Sequence, residues 1–228
     1  MNTRSDYNND ISKKRVFLGF PELDELISSV HSGELILIAA RPCMGKTTFA
    51  NKIVTNLAIK HQNVAFFSLE NDTSGITVIE LSNKARRMKE ERGLDLIILD
   101  YLQLIQGDMV EDAMCNQQQD FSDIFSSLKS VARELNVPII VLSQLPRSVE
   151  QRPTKRPKIS DLREWGDLEL EADIIMFMYR EGFYFPETES AMAGRKYGFN
   201  IVSQLLKLLV IFPAISALVA WIFTAIIS

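Results

Sequence analysis

The stretch from Leu35 to Leu57 constrains this chain more than any other. Leu35-Ile36-Leu37-Ile38-Ala39 is an unbroken apolar run, the pattern of a buried strand. Phe49, Ile53, Val54 and Leu57 then lay an apolar stripe along a helix. Between the two stand Ala40-Arg41-Pro42-Cys43-Met44-Gly45-Lys46-Thr47, the spacing of a phosphate-binding loop with alanine in place of its first glycine. Such a loop turns backbone N–H groups inward at a helix N-terminus, where they hold phosphate oxygens. Gly45 allows close backbone approach, Lys46 brings a mobile positive charge, and Thr47 offers an oxygen to Mg²⁺. Ala40 through Thr47, with Thr48 beside them, are the candidate nucleotide-binding residues.

At 228 residues, 46% hydrophobic and 24% charged, the chain can bury one substantial α/β core and carry a short appendage. Its formal net charge of -4 provides no global basic field, so nucleic acid would have to be met by a local patch. Cys43 and Cys115 are the only cysteines, and His31 and His61 the only histidines. None has metal-like spacing, which points away from a zinc site and toward a reducing, cytoplasmic setting. Cys43 reads as a small loop residue. Residues 1–16 form a polar, flexible lead-in without the apolar core of a signal peptide. At the other end, Leu208 to Ser228 carries no charge, and at about 1.5 Å per residue it matches a hydrocarbon layer of about 30 Å. It is expected to form an apolar C-terminal helix. That helix either packs in the core, or spans a membrane with Arg195, Lys196 and Lys207 on the cytoplasmic side, or is apolar sequence joined on by rearrangement.

Downstream, Asn63 to Leu69 reads as a second strand and ends at Glu70, a carboxylate at the sheet edge where ligands of open α/β folds gather. Ile76 to Arg92 is expected as a helix, with Thr77 and Glu80 forming a capping box. Its pairs Glu80/Lys84, Arg86/Glu90 and Arg87/Glu91, four residues apart, indicate a solvated face. Leu94 to Asp100 is an apolar strand closed by an acid. Opposite Thr47, Asp100 would support Mg²⁺ through water; otherwise it is an ordinary strand-end residue. Gln117 to Asn136 is amphipathic, and Phe121, Ile124, Phe125, Leu128, Val131, Ala132 and Leu135 form its core face. Pro138 to Ser143 makes another buried strand and delivers Gln144 to the same edge, where it either senses a γ-phosphate or makes a plain strand-end hydrogen bond. Asp173 to Tyr179 adds one more strand. Strands alternating with helices predict an α/β fold, a mostly parallel sheet flanked by helices with right-handed crossovers.

Between Arg147 and Arg163, six basic residues (Arg147, Arg152, Lys155, Arg156, Lys158, Arg163) face Glu150 and Asp161. Pro153 and Pro157 disfavour a helix, so the segment reads as a surface loop or hairpin. It would contact phosphates without reading bases, or would simply be solvated.

In this order the residues resemble a known family, the ATPase domain of DnaB-type replicative DNA helicases within the RecA-like P-loop class. The resemblance is carried by Gly19 to Asp24, Ala39 to Thr47, Phe67 to Glu70, Asp100 to Leu104, Leu142 to Leu145 and Gln151 to Glu164. It implies a RecA-like domain over 17–186 and a divergent tail over 187–228, with ATP and Mg²⁺ as cofactors. By the same resemblance Glu70 would polarise the attacking water, while Lys46 and Thr47 hold phosphates and metal and Asp100 supports the metal. Gln144 would couple the γ-phosphate to DNA, and Arg163, Glu164 and Gly166 would grip single-stranded DNA. The family works in the primosome during DNA replication as a homo-oligomeric ring of six that walks 5′ to 3′.

The sequence departs from that pattern at three points. It starts after the family's N-terminal helical domain, which helps build the ring and bind primase. Glu70-Asn71 runs almost directly into Asp72-Thr73-Ser74-Gly75-Ile76, where the family places several tens of residues. After Arg180 and Tyr184 the family carries a Lys-x-Arg finger that reaches a neighbour's ATP, whereas here Gly194-Arg195-Lys196-Tyr197 leads into the apolar tail. Such a finger is worth roughly 10³ to 10⁵ in turnover. Trp165 stands where the family has a small residue, and either stacks on a base or packs. The expectations are therefore an ATP-dependent helicase, a relative that binds ATP and DNA without unwinding, or a membrane-tethered interaction module on an ATPase scaffold.

Overall fold

The computed structural model describes residues 14–68, 76–100, 102, 105–106, 117–166, 168–186 and 207–211. Short strands β1 (Arg15–Val16) and β2 (Val30–His31) pair antiparallel around helix α1 (Pro21–Leu26). Strand β3 (Leu35–Ala40) then feeds helix α2 (Lys46–Ile59), followed by β4 (Val64–Ser68), β5 (Ile76–Thr77), helix α3 (Val78–Arg92), β6 (Leu96–Asp100) and β7 (Ile105–Gln106). Helix α4 (Gln117–Leu135) leads to β8 (Ile139–Gln144). Two 3-10 helices, Arg147–Gln151 and Ile159–Trp165, precede β9 (Ile174–Tyr179), and β10 (Lys207–Ile211) closes the described chain.

Six strands form one sheet in the order β10-β9-β3-β8-β6-β4, parallel except where β10 meets β9. Central β3 is buried along its whole length, which is why its sequence is a continuous apolar run rather than an alternating one. Its side chains still obey the two-residue period. Leu35, Leu37 and Ala39 join the core under α3 and α4, while Ile36, Ile38 and Ala40 join the core under α1 and α2. The chain leaves β3 through α2 for the far edge strand β4, then steps back through α3 and α4 toward the centre. With every crossover right-handed, reversing the direction of travel puts α2 on one face and α3 and α4 on the other.

Periodicity located α2, α3 and α4 but not the short α1. All seven core positions expected on α4 are buried. The capping box is present, with Glu80 N–H donating to Thr77 Oγ1 at 3.2 Å and Thr77 N–H to Glu80 Oε2 at 3.3 Å. Because Thr77 is the cap, α3 starts at Val78, and Ile76–Thr77 instead pair parallel with β7. Arg87 meets Glu91 at 2.6 Å as expected, but Arg86 reaches Glu134 on α4 at 2.6 Å rather than Glu90.

The apolar tail is corrected at its start. Lys207–Ile211 are a strand, with Lys207 opposite Tyr179 and Ile211 opposite Ile175, not the first turn of a helix. Leucine, valine and isoleucine suit the open edge of β9, whose unpaired backbone groups need partners. Residues 212–228 lie outside the described residues, and among the described residues no helix is long and apolar enough to cross a membrane.

The Gly19–Asp24 motif serves the fold. The buried Asp24 carboxylate accepts from three backbone N–H groups, Leu18 at 2.7 Å, Gly19 at 2.9 Å and Phe20 at 3.1 Å. Phe20 stacks on Phe49 of α2 with ring centroids 4.8 Å apart, so the motif locks the entry to β3 against the helix that follows the loop. Asp24→Ala leaves those donors unsatisfied and is expected to cost about 1–3 kcal/mol in urea unfolding, with the m-value unchanged.

Candidate functional site

Strand register decides which side chains meet. Ala40 lies opposite Gln144, Leu142 opposite Asp100, and Asp100 opposite Ser68. The carboxyl ends of β3, β8, β6 and β4 thus present the phosphate loop, Gln144, Asp100 and Ser68 along one edge, where ligands of such sheets bind. Glu70 follows Ser68 by two positions and lies outside the described residues.

Gly45 is the N-cap of α2 with φ 95° and ψ 23°, a left-handed conformation that favours glycine. A Cβ built there meets nothing within 4 Å, so the backbone borders open space rather than packed protein. The helical ladder begins with Phe49 N–H donating to Gly45 O at 2.9 Å, and the N–H groups ahead of it point out of the helix end. Met44 is buried and pins the loop, while Pro42, Cys43 and Thr48 are exposed and Lys46 and Thr47 half-buried. The result is a backbone cradle that borders open space, with a helix dipole behind it, which suits phosphate oxygens.

Asp100 is the second decisive feature. It is 1% exposed, and neither carboxylate oxygen has a hydrogen-bond partner among the described residues. A buried carboxylate without a donor is costly unless something positive completes it. Together with the Thr47 hydroxyl it supplies the hard oxygen donors that suit a largely hydrated Mg²⁺, so the residues fit the metal.

Arg41 behaves unlike a surface loop residue. It is 8% exposed, and its guanidinium turns inward, with Nη1 donating to Leu145 O at 2.7 Å and Nε to Glu150 Oε1 at 2.9 Å. Tyr184 O–H donates to the same Glu150 oxygen at 3.1 Å. The Arg41 guanidinium holds the Glu150 carboxyl below its usual value, while burial, aided by Glu150, pushes the Tyr184 phenol up to about 12. The sequence named Arg41 as a loop residue but missed this link, because its partner stands 109 positions away.

The basic segment is less free than its composition suggests. Arg152 forms a two-pronged ion pair with buried Asp161, which also accepts from Lys158 N–H at 2.8 Å. Lys155 donates to Glu150 O at 2.9 Å and sits 5.7 Å from the centre of the Tyr184 ring, and Arg156 lies 5.9 Å from the Tyr179 ring. Arg152 and Lys155 therefore brace the segment, while Arg147, Arg156, Lys158 and Arg163 are exposed. Arg163 and Glu164 stand near the end of the second 3-10 helix, which Gly166 closes at φ 85°. Arg163 approaches Glu169 at 3.8 Å.

Comparison with known proteins matches residues 16–74 and 71–204 to the DnaB-like helicase C terminal domain. The chain belongs to this DnaB-like family. It is 41% identical to the replicative DNA helicase DnaC of Bacillus subtilis (strain 168), over 75% of this chain and 48% of that protein. Identity to the replicative DNA helicase DnaB of Geobacillus stearothermophilus is 39%, over 81% of this chain and 51% of that protein. Among solved structures, one described as an ATPase domain matches with a TM-score of 0.72 and 32% identity, over 81% of this chain and 84% of that one. A DnaB-like replicative helicase, described with its interactions with primase, matches at TM-score 0.71 and 34% identity, over 77% of this chain and 54% of that one.

This DnaB-like chain thus spans about half the length of the curated relatives it matches. Its match comes in two stretches that meet at 71–74, and the alignment to the Bacillus subtilis relative runs over 222 positions while taking in 75% of 228 residues. The relative therefore carries several tens of residues that this chain lacks, and the seam falls between Asn71 and Ile76.

Two substitutions separate the site from the scaffold. Gly45→Ala meets no protein atom, so its stability loss is confined to the left-handed backbone, about 1–2 kcal/mol by thermal unfolding, while affinity for a triphosphate falls more steeply. Asp100→Asn removes a buried charge that has no partner among the described residues; the ligand-free protein should melt higher, about 2–4 °C per kcal/mol regained, and lose the Mg²⁺-dependent part of nucleotide affinity.

Proposed function

We propose that the chain is the motor domain of an ATP-dependent replicative DNA helicase, converting ATP hydrolysis into movement on single-stranded DNA during replication. The observation that carries this reading is the buried Asp100 carboxylate, without a partner among the described residues and on the same sheet edge as the Gly45 loop, in a chain of the DnaB-like family. The cradle and Lys46 bind the triphosphate, and Thr47 and Asp100 hold Mg²⁺. When bound, Mg²⁺ neutralises charge developing on the phosphates. Glu70, two residues beyond the Ser68 that pairs with Asp100, orients the attacking water. Gln144, opposite Ala40, stands one strand from the loop and reports the γ-phosphate to the segment after β8.

Exposed Arg163, with Glu164 and Gly166, contacts the backbone of single-stranded DNA, joined by Arg147 and Lys158 as phosphate-directed charges. Affinity should fall steeply with salt, since each neutralised phosphate releases a counterion. The working state is a homo-oligomeric ring in the cytoplasm, as the family resemblance implies. With Gly194-Arg195-Lys196-Tyr197 where the family carries its Lys-x-Arg finger, turnover of the isolated chain is slow.

ATP turnover with Mg²⁺, measured with and without oligo(dT) on protein whose solution mass is determined in parallel, tests this reading. Slow hydrolysis stimulated by oligo(dT) and lost in Lys46→Ala is the expected result. Folded protein that hydrolyses no ATP in either condition would overturn it.

A further inference from the structure

Leu145 is clamped to the phosphate loop from both sides. Its N–H donates to Ala40 O at 3.0 Å, and its carbonyl accepts from Arg41 Nη1 at 2.7 Å. Arg41 Nε then reaches Glu150 Oε1 at 2.9 Å, in the first 3-10 helix. Two residues on, Arg152 grips Asp161 in the second 3-10 helix with both guanidinium prongs, and Arg163 follows Asp161 by two positions. Each 3-10 helix is anchored in the core, by Val149 and by Leu162, both fully buried. The polar contacts therefore link two turns that are each packed into the core.

We propose that Arg41, Glu150, Arg152 and Asp161 form a relay of positioning residues through which nucleotide in the phosphate loop and single-stranded DNA at the Arg163 loop change each other's affinity. The proposal rests on the helicase reading above and is separate from Gln144, which stands on β8 itself. Its physical basis is competition for one cation. Arg41 belongs to the loop that receives the triphosphate, and its charge is already committed to Glu150, so added negative charge biases the Arg41–Glu150 contact. Displacement of Glu150 moves the 3-10 turn that carries it, and Arg152 transmits that shift to Asp161. By linkage, DNA that settles the Arg163 loop must act back on the nucleotide by the same factor.

The test measures dissociation constants for a fluorescent non-hydrolysable ATP analogue with Mg²⁺, with and without saturating oligo(dT), on the full chain. The wild type should show a ratio in the usual coupling range of about 5 to 150. Glu150→Gln and Asp161→Asn should each pull that ratio toward unity by at least about fivefold, while each ligand alone binds within about threefold of wild type. Glu150 is partly exposed, so its variant keeps the test open if Asp161→Asn does not fold. Variants that keep the wild-type ratio, or that weaken both ligands without changing it, overturn the relay and leave a purely structural role. A wild type that binds both ligands with a ratio of unity overturns the relay but not the two sites. If the wild type binds no nucleotide, the helicase reading fails and takes the relay with it.

Discussion

Parallel pairing of β3 with β8, of β8 with β6 and of β6 with β4 is the constraint on which the rest of this protein depends. It places Ala40, Gln144, Asp100 and Ser68 along one edge in fixed register. A one-residue slip would turn each of these side chains to the opposite face of the sheet. Burial of β3 on both faces makes such a slip prohibitive, because two separate cores would have to be repacked at once. The same rigidity lets the protein hold Asp100 where a carboxylate is poorly solvated and has no donor among the described residues. Hydrophobic packing thus sustains a local electrostatic cost, which a cation at that edge would offset.

What could be read from sequence follows from how local each signal is. The seven core residues of α4 repeat at helical spacing within one segment, and β3 announces itself by its apolar run. The phosphate loop is equally local, with glycine at the left-handed N-cap of α2, although Cys43 takes a second left-handed position that its residue type does not signal. Capping chemistry at Thr77 is also legible, and it marks the residue before the helix rather than the first residue in it. Charge is harder to read. Arg152 has the look of a DNA ligand in sequence, yet Asp161, nine positions on, fills its fork, and Arg156 lies over Tyr179 from a different element. Arg41 has no sequence neighbour that betrays Glu150. Composition counts cations, but only the fold shows which are spent on internal pairs. The apolar tail misleads for a related reason, since leucine, valine and isoleucine serve the open edge of β9 as well as they serve a helix.

The place of the internal shortening also makes physical sense. It falls after β4, the outermost strand, and before α3. Residues removed there leave the parallel core β9-β3-β8-β6 intact, and a shorter connection costs little in loop closure. The opposite edge is finished differently, by antiparallel β10 on β9. The shortening thus lies at one margin of the sheet, while its centre keeps the Gly45 loop, Asp100 and Gln144. The register that holds the fold also holds these residues along one edge.

The central claim is that the Gly45 cradle and the buried Asp100 carboxylate together make one metal–nucleotide site. A structure of the chain determined with Mg²⁺ and a non-hydrolysable ATP analogue tests it most directly. Phosphates should lie against the N-terminus of α2, with Asp100 bonded through water to a Mg²⁺ that also touches the Thr47 hydroxyl. Nucleotide bound elsewhere, or Asp100 still without a partner in the occupied site, would contradict it.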